Sequence, residues 1–467
     1  MFYGINIIRI CLLVIFCCFS IFVNAQTIDT NKLILPVTRV GNDTTPALTL
    51  KQCIDYALVH QPAINRSLIN VDIARATNSI NLSTLLPQVN ANGDVIHYIQ
   101  LPNNSSNVVN TSTGSTSGTT SGTSTRNTNT FIPQLTISQQ LFNPSLLYAA
   151  KSAPLYIKQA QQVTDSAKIF LVSTVSKSFY NVLLTLEQIN VLKEDTTRLG
   201  KNLRDAYHQY KGGIVDETDY EEAAISLNNS KASLKQATEN VVPQYSILKQ
   251  LMGYPPERQF NVSFDTTQMM REINIDTAQQ LQYEKRIEFQ QLNTQKALQG
   301  KLVNYYRTSF LPTVSAFYNY NLEFENNRLS HLFDNSYPNS LVGLSLNVPI
   351  FTGFYRLNNL KRAKLQQKLL DWDETDLRSQ IYTEYTTALA NYKGNMYNLQ
   401  LLQKNVAMAK RTYFVVTLQY KQGIVAYLNV ITAESNLISS EISYINALFQ
   451  VLSNKIDLQK AMGNITY

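Results

Sequence analysis

The chain has 467 residues, 44% hydrophobic and 16% charged, with 40 Lys and Arg against 33 Asp and Glu for a formal charge of +7. That length allows two or three ordinary domains and a large core. The charges alternate along helical stretches and build no basic patch, which excludes nucleic acid as a partner.

Residues 1–25 read as a secretory signal peptide. Arg9 precedes the apolar run Ile10 to Val23, and Val23-Asn24-Ala25 offers small residues for cleavage before Gln26. Removing the peptide takes Arg9, leaving 39 basic against 33 acidic residues, a charge of +6. It also takes Cys11, Cys17 and Cys18, none of which follows the small residues that a lipid-attachment site needs. Cys53 then stands alone, so no internal disulfide stabilises the exported chain. No later run of about 18 apolar residues is present, which argues against a membrane-spanning helix. The periplasm, secretion and an outer-membrane β-barrel stay open.

The rest of the chain is written twice. Residues 26–253 form a first repeat. Its Leu86-Pro87 ends a helical segment and opens alternating runs that close at Leu141-Phe142-Asn143-Pro144. A long helix, free of breakers from Leu155 to Lys211, leads to the turn Tyr210 to Val215 (YKGGIV), and a return helix ends at Leu251-Met252-Gly253. Residues 254–280 form a linker. The second repeat, 281–467, has Leu311-Pro312, then Ile350-Phe351-Thr352-Gly353, the turn Tyr420 to Val425 (YKQGIV) and the ending Ala461-Met462-Gly463. No proline follows Pro349, so Phe354 to Gln422 can run as about 69 helical residues, on the order of 100 Å. Such helices need partners along their whole length. Ile431, Ile438, Ile442, Ile445, Phe449, Leu452 and Ile456 keep coiled-coil spacing. A second row, Leu437, Tyr444, Val451 and Leu458, matches Leu227, Leu234, Val241 and Leu248 of the first repeat. Two seams per helix suit staves of a cylinder. A soluble coiled-coil bundle fits that periodicity equally well, which keeps a non-channel periplasmic structural protein as the alternative.

The alternating runs favour a membrane. In Thr313 to Glu325, Val314, Ala316, Tyr318, Tyr320, Leu322 and Phe324 point one way against a polar set, with Phe317 the exception. Val342, Leu344, Leu346 and Val348 oppose Gly343, Ser345 and Asn347, and Leu135, Ile137 and Leu141 oppose Gln134, Thr136, Ser138 and Gln140. Each run is long enough for a tilted spanning strand with one lipid face, and Phe131, Phe142, Phe310 and Phe351 suit interfacial girdles. Four strands, around 88–142 and 313–351, cannot close a barrel, so several copies must combine. The loop 103–130 is a Ser/Thr/Gly/Asn tract unable to bury a core, read as a solvated external loop with a lid or phage-contact surface as the alternative.

No catalytic, metal or cofactor constellation is present, so no enzyme activity is expected. His60, His97, His208 and His331 share no ligand spacing, and neither a phosphate loop nor an HExxH helix occurs. Cys53 reads as a small buried hydrophobe, and Asp371, Asp373, Glu374 and Asp376 as a solvated helix face.

The ordered set of duplicated plan, LxP strand openings, YxxG turns and the Leu48-Thr49-Leu50 to Ala57-Leu58 helix resembles the TolC-like outer-membrane efflux family over about residues 48 to 463. The resemblance implies a mainly α fold with membrane β strands. Three chains would form a twelve-stranded barrel in the outer membrane of a Gram-negative bacterium, continued by a twelve-helix periplasmic tunnel belted by the linker. It implies an export duct fed by a periplasmic adaptor and an inner-membrane pump. Adaptor contact falls by resemblance on Gly213, Ile214, Val215, Gly423, Ile424 and Val425, where the alternative is a contact that only closes each hairpin. Entrance-gate candidates are Asp216, Asp219, Tyr420 and Asn429. Val425, Asn429 and Thr432 depart from the arginine and aspartates of relatives, so an acidic constriction would have to come from Asp216, Glu217 and Glu221, which equally suit a solvated helix start.

Overall fold

The structure, a computed structural model, describes residues 47–99, 128–263, 273–276 and 279–467. The expected signal peptide, most of the 103–130 loop and part of the 254–280 linker lie outside the described residues. The first repeat runs β1 (Ala47–Leu48), α1 (Leu50–His60), α2 (Pro62–Ser83), β2 (Gln88–His97), β3 (Asn129–Phe142), α3 (Pro144–Lys211) and α4 (Glu217–Met252). After β4 (Asn261–Val262) and a 3-10 turn at Tyr283–Lys285, the second runs α5 (Ile287–Thr308), β5 (Thr313–Asn326), β6 (Ser336–Asn347), α6 (Tyr355–Lys421) and α7 (Tyr427–Ala461).

The long helices reach 68 residues in α3 and 67 in α6. The first begins at Pro144, well before the expected Leu155. Proline at the first helical position loses no bond, and Asn143 Oδ1 caps the helix by accepting from the Ser145 N–H at 2.9 Å. Pro154 then sits inside α3, where packing against α2, α4, α5 and α7 outweighs one lost backbone bond. One 18-residue window of α3 is apolar enough to cross a membrane, against the expectation drawn from unbroken apolar runs, but 56% of it is buried within this chain.

The four long strands form one antiparallel sheet in the order β2-β3-β5-β6, so β3 and β5 join the two repeats. Register puts Leu135 opposite Tyr320, Ile137 opposite Tyr318 and Tyr318 opposite Val342, giving one continuous apolar face. Gln134 opposite Asn321 and Thr136 opposite Asn319 mark the polar face. Phe317 lies on that polar face because its partner is Gly343, where an added Cβ would come within 2.6 Å of the Phe317 ring. Between Gln140 and Phe142 a bulge leaves Leu141 unpaired and brings Phe142 beside Val314 on the apolar side. On the apolar face Val342, Leu344 and Leu346 are exposed, and the outer edges of β2 and β6 have no partner strand among the described residues.

The core lies where both repeats meet. Val175, Phe179, Val182 and Leu183 of α3 pack with Leu248 and Met252 of α4, Val451, Leu452 and Leu458 of α7, and Cys53 and Ala57 of α1. Each such aliphatic or aromatic side chain contributes roughly 1.5–3 kcal/mol by burial. Burial pushes the Cys53 thiol up to about 12, as suits a small hydrophobe. The two seams expected on α7 are buried or half-buried throughout. The chain after α4 wraps this core. Val262 pairs in parallel with Leu48, Phe260 and Ile273 are buried, and the Tyr392 hydroxyl donates to the Ile273 carbonyl at 2.9 Å.

The closing glycines do the same work in both repeats. Gly253 (φ 67°) and Gly463 (φ 71°) adopt the left-handed conformation, and an added Cβ would lie 2.7 Å from the His60 carbonyl oxygen or 2.9 Å from that of Lys285. Each return helix is thereby pressed against the segment leading into its repeat's α2 or α5. The acidic residues expected to be solvated on α6 are exposed at Asp371, Asp373 and Asp376, while Glu374 is half-buried, and Asp371 and Glu374 also pair with Lys296 of α5 at 2.7 and 2.8 Å.

Candidate functional site

The two repeated turns have one geometry. At the end of α3 the Gly213 N–H donates to the Tyr210 carbonyl at 3.0 Å and the Ile214 N–H to Gln209 at 2.9 Å. At the end of α6 the Gly423 N–H donates to Tyr420 at 2.9 Å and the Ile424 N–H to Gln419 at 3.0 Å. This paired bonding is a Schellman cap, which needs a left-handed residue. Gly213 (φ 68°) and Gly423 (φ 72°) supply it, with open space where a Cβ would be.

The following Ile and Val separate in role. Ile214 and Ile424 are 72% and 65% exposed. Val215 and Val425 turn inward onto a small cluster of Ala206, Ala223, Tyr420, Tyr427 and Val430. The six residues expected to dock a partner therefore divide into a glycine that turns, an isoleucine that points out and a valine that closes the hairpin.

Of the gate candidates, Tyr420 and Asp219 lie near enough to interact electrostatically, with no hydrogen bond between their side chains. Tyr420 is buried with its ring 5.2 Å from Tyr427, and neither hydroxyl has a hydrogen-bond partner among the described residues. Burial, then Asp219 and Asp205, push the Tyr420 phenol up to about 12. Asp219 is itself raised by burial and by Glu222 and Asp216. Asp216 is exposed at the start of α4 and caps no backbone group, and Asn429 is exposed in the first turn of α7. The first turn of α4 carries Glu217 and Asp219 while that of α7 carries no acid, so the two tips differ in charge.

Behind the tips lies a polar cluster that sequence reading missed. Arg198 of α3 donates from Nε to Glu434 of α7 at 3.0 Å and from Nη2 to Asp195 at 2.9 Å. Ser230 of α4 donates to the other Asp195 oxygen at 2.6 Å. Asn202 of α3 donates to Glu434 at 3.1 Å and to the Tyr413 hydroxyl of α6 at 3.1 Å. One guanidinium thus serves two buried carboxylates, and the cluster as a whole joins all four helices of the two hairpins. Burial raises Asp195 and pushes Glu434 up to about 7, outweighing the opposing pull of Arg198. Arg198 is held above its ordinary value by Glu434 and Asp195, despite its burial. The available signal was Glu434 itself, a charge lying between Val430 and Leu437 in an apolar row of alternating four and three. Among the described residues no group of three metal-binding side chains occurs.

Known proteins share this fold. The probable efflux pump outer membrane protein TtgC of Pseudomonas putida is 21% identical over 425 residues, 90% of this chain and 83% of its own length. The cation efflux system protein CusC of Escherichia coli is 21% identical, covering 89% of this chain and 86% of its own. The crystal structure of the outer membrane protein VceC from Vibrio cholerae superposes with a TM-score of 0.69 at 15% identity, over 89% of this chain and 96% of that one. The model of the outer membrane efflux protein family matches residues 53–254 and 279–464. With most of its length matched in this way, the chain belongs to that TolC-like family, whose place is the outer membrane of Gram-negative bacteria.

Proposed function

We propose that three copies of this chain form an outer-membrane export duct, a closed twelve-stranded barrel continued by a tunnel of the long helices. The observation that carries it is the four-stranded sheet with one apolar face and two open edges. Such a sheet is costly in lipid until its edges pair with further copies. The exposed apolar residues of α6, among them Leu365, Leu369 and Trp372, suit a second copy packed along that helix. Cysteines at Val89 in β2 and Leu344 in β6 test the closure. Oxidised cells should give a ladder ending at three chains, and monomers alone would sink the duct.

The turns at Gly213, Ile214, Val215, Gly423, Ile424 and Val425 dock a periplasmic adaptor, which couples the duct to an inner-membrane pump. Within each turn the exposed Ile makes the contact. The entrance is held shut by the Arg198–Glu434 cluster, with Tyr420 against Asp219 nearer the tip and Asp216 and Asn429 at the helix starts. In-cell photo-crosslinking from positions 214 and 424 should capture an adaptor. Capture of only a neighbouring copy would leave the turns as hairpin closures.

A further inference from the structure

Away from the tips, three of the four junctions between sheet and helix surround a cavity of about 250 Å³. The start of α3 at Asn143 to Ser145, the passage from α5 to β5 at Tyr305 to Thr313, and the passage from β6 to α6 at Asn347 to Asn359 line it. Thr313 and Asn347 face each other across the register on the polar side of the sheet, so the cavity belongs to the wet face. Arg356 is its one charged lining residue, and no carboxylate lines it.

Arg356 makes no ion pair among the described residues, and its Nη1 is shut off from solvent without an acceptor. Two of the three lining side-chain amides already donate elsewhere. Asn143 donates to Gln140 at 2.5 Å, and Asn359 donates to the Tyr355 carbonyl at 2.9 Å. Ser309 likewise donates to the Tyr306 carbonyl at 2.8 Å. A guanidinium nitrogen withdrawn from water and left without an acceptor is unfavourable, and an anion repairs this at short range. Arg356 stands in the first turn of α6, which has no side-chain cap, so backbone N–H groups and the helix dipole add to the same positive field. The Tyr305 and Tyr306 rings, 5.0 Å apart, provide an apolar wall beside the charge.

We propose that this cavity binds a small oxyanion, a phosphate ester or carboxylate with a compact apolar tail, through Arg356. The anionic group pairs with the guanidinium and the tail lies against Tyr305 and Tyr306. A solute on the wet face and the headgroup of an anionic lipid present the same chemistry, and experiment separates them.

The full-length protein, purified in an uncharged detergent, is titrated with phenyl phosphate by calorimetry. In parallel, native mass spectrometry follows retention of phosphatidylglycerol. Binding of one phenyl phosphate per chain, weakened at least tenfold in R356Q and unchanged in R75Q, an exposed arginine of α2, establishes the site for a solute. Retained phosphatidylglycerol that R356Q loses, with no phenyl phosphate bound, establishes it for a lipid. S309D, which tethers a carboxylate in the cavity, should abolish either binding and serves if R356Q fails to assemble. Wild-type protein that binds neither probe, or R356Q and S309D that bind as wild type does, overturns the proposal. The outcome does not depend on whether the chain is a duct, because it is read from binding alone.

Discussion

Arg198 on the outward helix of the first hairpin and Glu434 on the return helix of the second meet at 3.0 Å, in the interior and far along the sequence from each other. Asp195 shares the same guanidinium at 2.9 Å, so the cluster holds two carboxylates against one cation. A proton on either acid removes the excess charge.

That arithmetic sets a pH dependence. The folded value of Glu434, about 7, lies above its ordinary 4.5. The folded state therefore keeps a proton that the unfolded chain releases, and the resulting stability is full below about 4.5 and lost as pH rises through about 7. Thermal unfolding of the assembled protein should show a falling midpoint between pH 5.5 and 8. In E434Q this fall should largely flatten, and an unchanged slope would assign it elsewhere.

Removing the cation is harsher than removing one acid. R198A strands Asp195 and Glu434, which have side chains 1% and 3% exposed. Loss of one partner of a buried pair costs about 3–5 kcal/mol. Denaturant unfolding should show a loss of that size at pH 8 and a smaller one at pH 5.5, where Glu434 is protonated. The double variant R198M/E434M should recover only part of it, because Asp195 keeps a buried charge with Ser230 as its remaining partner. If the entrance is locked here, R198A also raises single-channel conductance in planar bilayers.

The four left-handed glycines that end α3, α4, α6 and α7 fall into two classes. G213A and G423A meet no neighbour, so each should cost only the backbone strain of about 1–2 kcal/mol. G253A and G463A bring a methyl group to 2.7 and 2.9 Å from a carbonyl oxygen and must displace backbone. They should lower the melting temperature by clearly more than the tip variants in the same calorimetric scan.

Ile and Val at the tips should separate stability from docking. I214S and I424S, on exposed positions, should leave unfolding within about 0.5 kcal/mol of wild type. They should nevertheless abolish adaptor capture in the photo-crosslinking experiment. V215S and V425S remove half-buried contacts and should destabilise the hairpin end by about 1 kcal/mol each. Equal effects of the two pairs on adaptor capture would count against the outward isoleucines as the contact.

Periodicity made the architecture legible. Alternation assigned both faces of the sheet, and the 3-and-4 rows assigned the helix seams, because burial follows the backbone period. What failed depended on a partner distant in sequence. Phe317 looked misplaced until Gly343 proved to lie opposite it, and a single strand cannot reveal its neighbour's missing side chain. Leu141 was assigned a face by counting, which a bulge overrides. Local propensity disfavours Pro154 within a helix, and α3 holds it because packing decides in a helix so long. At the site, the glycine turns were plain and their residues named. The Arg198 cluster draws on four helices, so only Glu434 within an apolar row left a trace in one dimension.

The closing glycines have a mechanical side. Gly253 and Gly463 pin the return helices against carbonyl groups at one end, while the opposite ends finish in exposed turns. Each hairpin is then a cantilever. The 36 residues of α4 make an arm of about 54 Å, so a swing of about 5° at the pinned end carries the far end by roughly 5 Å. The bond between Arg198 and Glu434 ties the two arms nearer their free ends than their fixed ones. A small force there has the longest leverage, and the tips can part while the packing around Val175 and Leu452 stays still.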